Sequence, residues 1–243
     1  MRRLRRILVR LVALALVLLG ALLLWGHARR HPEDMPWTKL DLARPVGAFT
    51  GRKLAGLVGE GERCRALLEQ AGVRFEALPP RSAGPQCGYD DAVRLSTRGA
   101  LDIGYRPRDL AASCPVAAAL ALWEWHVVQP AAQRHFGRPV ETIEHFGSYA
   151  CRRLYGRDEG QWSEHATANA VDIAGFTLAN GARVTVAGHW GEGGERGAFL
   201  REVRDGACDL FATVLSPDYN AAHRDHLHLD QAGRGAFGWR GCR

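Results

Sequence analysis

The sequence predicts an α+β fold: a small antiparallel sheet flanked by helices and preceded by a transmembrane helix. Three observations predict it. Helix-period and strand-period apolar patterns alternate irregularly along the chain, without the strand–helix–strand repetition of a parallel sheet. At 243 residues the chain accommodates one good-sized domain and an appendage. A composition of 47% hydrophobic and 24% charged residues is that of a globular protein and excludes wholesale disorder.

The appendage is N-terminal. "MRRLRRILVR" leads into "LVALALVLLGALLLW", fifteen uncharged residues from Leu11 to Trp25. Counting Ile7, Leu8 and Val9, with Arg10 snorkelling, the span reaches nineteen residues, long enough for a hydrocarbon core. The arginines ahead of it predict a cytoplasmic N-terminus and export of the chain beyond the apolar run. A cleaved signal peptide is the rival reading, but "LLLWGHARRH" offers no convincing small-x-small cleavage site. The formal net charge of +6 has the same origin. Seven of the 32 Lys+Arg lie in residues 1–30, which leaves 25 against 26 Asp+Glu, so no nucleic-acid-binding surface is implied.

Residues 1–30 are thus read as a membrane anchor or signal peptide, 31–58 as a proline-bearing linker or extended arm, and 59–243 as the domain. Within the domain, "EGERCRALLEQAG" has the period of a short helix ending near Gly72, followed by a strand over 73–78. "PPRSAGPQCGYDD" reads as a loop, "AVRLS" and "ALDIGY" as short strands. From Cys114 a long Ala/Leu-rich helical run has Pro115 in its first turn and Pro130 bending or breaking it. "VETIEHFGSYACR" is a strand entering a loop, and "ARVTV" is another strand. "ERGAFLREVRDGACDLF" places Phe199, Leu200, Val203, Ala207 and Leu210 on one helical face. "RDHLHLD" alternates, with Leu227 and Leu229 opposite His226 and His228.

Six scattered cysteines, Cys64, Cys87, Cys114, Cys151, Cys208 and Cys242, form no CxxC pair. In an exported protein they read as up to three disulfides, with the pairing open.

Two stretches concentrate metal-capable side chains. "SEHATANAVD" supplies His165 and Asp172; "HRDHLHLD" supplies His223, Asp225, His226, His228 and Asp230. Zinc takes imidazole nitrogen and carboxylate oxygen, and a catalytic site uses three protein ligands with a fourth position for water. Each of these residues alone is weak, since a lone strand histidine is more often a satisfied polar residue. Jointly they are not, because each unpaired polar group in an apolar strand costs about 1–3 kcal/mol. His189, in "AGHWGEGG", is a weaker candidate for approach to the site.

"SEHATANAVD" resembles the Ser-x-His-x-x-Gly-x-Ala-x-Asp motif of D-Ala-D-Ala metallopeptidases of the M15-like, lysostaphin-type superfamily. Ser163, His165, Ala170 and Asp172 match, and Ala168 stands where glycine is usual. "DHLH" is similar to the superfamily's second motif. Together with "GSYACR", "VLSPDYNAAHRDHLHLD" and the cysteine pattern, this resembles the bacterial extensin-like C-terminal domain family over roughly 60–243. The resemblance implies His165, Asp172 and His228 as zinc ligands and Asp225 as general base. It implies His226 as a hydrogen-bonding assistant and Arg152, with Arg153 as its neighbour and rival, as the group holding an oxyanion or substrate carboxylate. Strict strand alternation would set Asp225 opposite His226 and His228, unless a bulge or the strand start lies at 224–225. The expected function is zinc-dependent hydrolysis of peptidoglycan peptides by an activated water, in a bacterial inner-membrane protein with a periplasmic domain, or a secreted one if cleaved. The alternative is a non-catalytic wall-binding module on the same scaffold.

Overall fold

The computed structural model describes residues 2–97, 99–235 and 240–243. A long helix, α1 (Arg2–Arg30), has no buried residue; it is long and apolar enough to cross a membrane. A 3-10 turn at Pro32–Asp34 leads to α2 (Thr50–Ala55) and α3 (Gly61–Gln70). Five short strands follow: β1 (Arg74–Ala77), β2 (Arg81–Ser82), β3 (Gly88–Tyr89), β4 (Val93–Ser96) and β5 (Gly104–Arg106). The long helical run comprises α4 (Cys114–Trp123), a π turn at Glu124–Val128 and α5 (Gln129–Phe136). Then come β6 (Val140–Gly147), β7 (Ala170–Leu178), β8 (Arg183–Thr185), α6 (Val186–His189) and α7 (Glu195–Ala207). The chain closes with β9 (Thr213–Leu215), β10 (Leu227–Asp230) and β11 (Gly241–Cys242).

Among the described residues the main sheet runs β11-β9-β10-β7-β6-β5, with β8 pairing the far end of β7. Its interior is antiparallel, as expected: β9 on β10, β10 on β7, β7 on β6 and β8. Its two edges correct the expectation of an antiparallel sheet, because β5 is parallel to β6 and β11 is parallel to β9. Parallel neighbours require a crossover, and the α4–α5 run between β5 and β6 is that crossover. Small hairpins of β1 with β4 and of β2 with β3 stand beside the main sheet.

The helices cover one face. Val171 and Ile173 of β7, and Leu227 and Leu229 of β10, join α4 and α7 in one core. Trp123 lies 5.8 Å from Phe176, which meets Phe199 edge-on at 5.1 Å. The Trp123 indole donates to the Val203 carbonyl at 2.8 Å, so its buried N–H is satisfied. Period-2 alternation then sends Asp172, His228 and Asp230 to the other face, and that places the site.

Three local differences from the sequence reading have physical causes. The loop at 79–91 contains the β2–β3 hairpin, two residues per strand, too short for alternation to show. Pro130 does not break the helical run. It follows directly on the π turn, where the Gln129 N–H bonds the Glu124 carbonyl five residues back, and this widened turn carries the run past the missing N–H. The stretch 31–58 lies on the domain, with Leu40, Leu42, Leu54 and Leu57 in the core.

The π turn also carries a buried charge-capable group. Glu124 Oε1 accepts from the backbone N–H of Asp102 (2.6 Å) and Ile103 (3.2 Å), while Oε2 has no protein partner. Burial pushes its carboxyl up to about 7, despite those two hydrogen bonds. All six cysteines are paired: Cys64–Cys114, Cys87–Cys151 and Cys208–Cys242.

Candidate metal centre

His165, Asp172 and His228 arrive from three local structures. Asp172 and His228 are direct partners in the β7–β10 register. His165 comes from a 3-10 turn at Glu164–Thr167 just ahead of β7, whose N-cap Ser163 accepts the His165 backbone N–H through its hydroxyl at 3.3 Å. Ala168 then turns the chain into the strand with φ 55° and ψ 19°, a left-handed conformation that favours glycine. Its carbonyl accepts from the Ser148 hydroxyl (3.0 Å) and the Ser113 N–H (2.9 Å).

Three atoms converge. His165 Nε2 lies 3.2 Å from Asp172 Oδ1 and 3.1 Å from His228 Nδ1, and the third edge, His228 Nδ1 to Asp172 Oδ1, is 3.0 Å. Ligand atoms on a tetrahedral ion with bonds of about 2.0–2.1 Å stand about 3.3 Å apart, so this triangle is nearly the face of such a tetrahedron. The other ring nitrogens are tied to acceptors that fix the tautomers. His165 Nδ1 donates to the Ser148 carbonyl at 2.6 Å, and His228 Nε2 to Asp230 Oδ2 at 3.2 Å. In neutral imidazoles this leaves both lone pairs facing Asp172, an arrangement that requires a positive charge at its centre. Among the described residues no fourth His, Cys, Asp or Glu completes the group.

The electrostatics agree. Burial alone would raise the Asp172 carboxyl, but the contacts with His165 and His228 outweigh it and hold it well below the usual range. Burial would lower His228, but Asp172 and Asp230 carry it up to about 9. Without a metal, a proton on His228 supplies the central charge; a cation would displace it.

Around the triangle, Asp225 and His226 precede the strand, which begins at Leu227. The alternation problem therefore does not arise, since neither residue belongs to the ladder. His226 Nδ1 donates to Asp225 Oδ1 at 2.9 Å, and its Nε2 faces Asp172 Oδ1 at 3.5 Å. Asp225 thus reaches the cluster through His226. His223 packs its ring 5.2 Å from His226 and 5.9 Å from His228. Burial and those two imidazoles push it down to about 4, so it is a neutral wall. Arg152 is exposed, and among the described residues no hydrogen bond joins its guanidinium to the cluster. Arg153 lies over the Trp162 ring at 4.5 Å. His189 is structural, its Nδ1 accepting the Thr185 backbone N–H at 2.9 Å.

The sequence reading missed two contributors, Ser148 and Glu164, and named Asp230 only as a metal-capable side chain. Asp230 orients His228, a role signalled only by its i+2 position on the same strand face. The Ser148 carbonyl orients His165 and has no side-chain signature. Glu164 lines the approach; burial pushes its carboxyl up against a 2.7 Å hydrogen bond from Asn169. A groove of about 1200 Å³ runs along the His228–Asp230 side of the cluster, lined by Tyr155, Trp162, Glu164, Tyr219, His228 and Asp230; His165, Asp172, Asp225 and His226 are not among its lining residues. Arg234, Arg240 and Arg243 line it as well.

The family model of the extensin-like protein C-terminus matches residues 62–243. The chain belongs to that family. The match begins at α3 and takes in the sheet, all three disulfides and the whole His/Asp cluster. Neither a curated protein nor a solved structure matches the chain.

Proposed function

We propose that this extensin-like domain is a zinc-dependent peptidase of peptidoglycan peptides, held at the bacterial inner membrane by α1 with the domain in the periplasm. The observation that carries the reading is the triangle of His165 Nε2, Asp172 Oδ1 and His228 Nδ1, with edges of 3.0–3.2 Å and both imidazole tautomers fixed from behind. The resemblance of "SEHATANAVD" and "DHLH" to the M15-like metallopeptidase motifs supports it. These three side chains would hold the ion, which when bound supplies a Lewis acid that acidifies water and polarises an amide carbonyl.

The chain's own residues do the rest. His226 Nε2 is the proton acceptor beside the triangle. Asp225 holds the opposite nitrogen protonated and stabilises the imidazolium as the proton arrives, then as it passes to the leaving amine. Asp225 thus serves as the base's partner, one bond further from the reacting atoms than the resemblance implies. The groove beside His228 and Asp230 would hold an extended substrate, and Arg243 on its wall offers a guanidinium fork to the carboxylates of stem peptides. That task was expected of Arg152, which is not among the side chains lining the groove.

The test is digestion of purified peptidoglycan with mass spectrometry of the released muropeptides. Wild-type protein loaded with zinc should release cleaved stem peptides. His165→Ala and His228→Ala should lose both zinc and activity. His226→Ala and Asp225→Ala should keep zinc and lose about 10²–10⁴-fold in rate. A wall-binding module predicts instead that wild type and all four variants give one product profile while binding to sacculi persists.

A further inference from the structure

We propose that residues 31–58 are a rigid strut, and that they seat the folded body directly on the lipid surface that α1 enters. The proposal rests on reading α1 as a retained anchor.

The segment lies outside the family match, yet it is folded. Leu40 and Leu42 sink into the core, and α2 packs on α4. Nearer the membrane, one lysine and one aspartate clamp the parts together. Lys53 Nζ donates to the Pro32 and Glu33 carbonyls, each at 3.3 Å, and to Thr38 Oγ1 at 2.9 Å. Asp34 accepts the Ala48 N–H at 2.9 Å, and its other oxygen lies 3.4 Å from His27 Nε2 in the last turn of α1. The approach is close: a Cβ at Gly47 would stand 2.6 Å from Asp34 Oδ1.

A flexible linker of this length would let the body wander about 30 Å from the helix end. The clamp removes that freedom. The groups it presents beside the helix end suit a lipid surface: Trp37 is 73% exposed, Lys39 is exposed, and Arg29 and Arg30 close α1. Tryptophan favours the head-group level, and basic side chains favour anionic lipids.

The strut also reaches the groove. α2 borders a cavity of about 280 Å³ whose other wall includes Arg234 and Arg240, and both of these also line the groove. The position of the groove relative to the membrane end of α1 is therefore set by the strut.

All native cysteines are disulfide-bonded, so introduced ones are the only free thiols. Spin labels at Arg30→Cys and Glu62→Cys, in full-length protein in phosphatidylglycerol-containing nanodiscs, should give one narrow distance by pulsed EPR. A long Gly/Ser insertion after Arg30 should broaden it, and Lys53→Ala should broaden it in part. A fluorophore at Trp37→Cys should be quenched by head-group spin-labelled lipid about threefold more than in the inserted chain. A native distribution as broad as that of the insertion, or equal quenching in both chains, overturns the strut. N-terminal sequencing of protein from membranes separates the two failures, because a mature chain starting beyond α1 removes the anchor itself.

Discussion

Ala168 is one of two non-glycine residues with positive φ among the described residues, and it joins the turn carrying His165 to the strand carrying Asp172. A Cβ in that backbone region costs about 1 kcal/mol relative to glycine. Ala168→Gly should therefore stabilise the fold by about 1 kcal/mol and raise Tm by about 2–4 °C in a thermal melt. Ala168→Val should lower it. A lower Tm for the glycine variant would show that the turn is not strained. The position was visible in the sequence as an alanine at a place where the motif has glycine; its conformation was not. The same division holds across the site. His165, Asp172 and His228 were legible because a spaced motif names side chains. The Ser148 carbonyl was not, because any residue at 148 supplies one. The link from Asp225 to His226 depended on where β10 begins, and strand boundaries are what alternation patterns locate least well.

At the scale of elements, helices α3 and α7 and the Cys114 run were readable from apolar period, and β10 from alternation. The parallel edges were not, since pairing direction depends on crossovers that no local pattern records. Nor was the π turn, which leaves Glu124 buried with one unpartnered oxygen. This group makes a pH prediction. Its folded carboxyl titrates at about 7 against an ordinary value of 4.5, so the folded state holds the proton more tightly than the unfolded chain. The contribution is fully present below pH 4.5 and is lost as pH rises through about 7, by up to about 3 kcal/mol. Glu124→Gln keeps the acceptor for Asp102 and Ile103 and removes the titration. Urea denaturation across this range should show wild-type stability falling with pH and a flatter profile for the variant. Equal slopes would mean that Glu124 is ionised throughout.

At the scale of the whole molecule, the sequence divided the chain into anchor, linker and domain, and the structure joins the second part to the third. Proline content marks 31–58 as irregular, but irregular backbone can still be packed when four leucines supply the burial. The three disulfides were legible as a number, with the partners set only by the fold. Two of them enclose 50- and 64-residue separations, and each such crosslink contributes about 4 kcal/mol by restricting the unfolded chain. Reduction should therefore lower Tm well beyond the effect of any single surface substitution, as thermal melts with and without dithiothreitol would show.

Those two crosslinks overlap in chain order: Cys64 and Cys87 both come before Arg108, while Cys114 and Cys151 both come after it. Arg108 is exposed on a turn. A protease that nicked the backbone there would produce two fragments sewn together twice, with His165, Asp172 and His228 all on the second. Such a molecule would migrate as a single band on a non-reducing gel and as two once its thiols were freed. Until then it would keep its three ligands in place, so backbone continuity through that turn is dispensable to the centre.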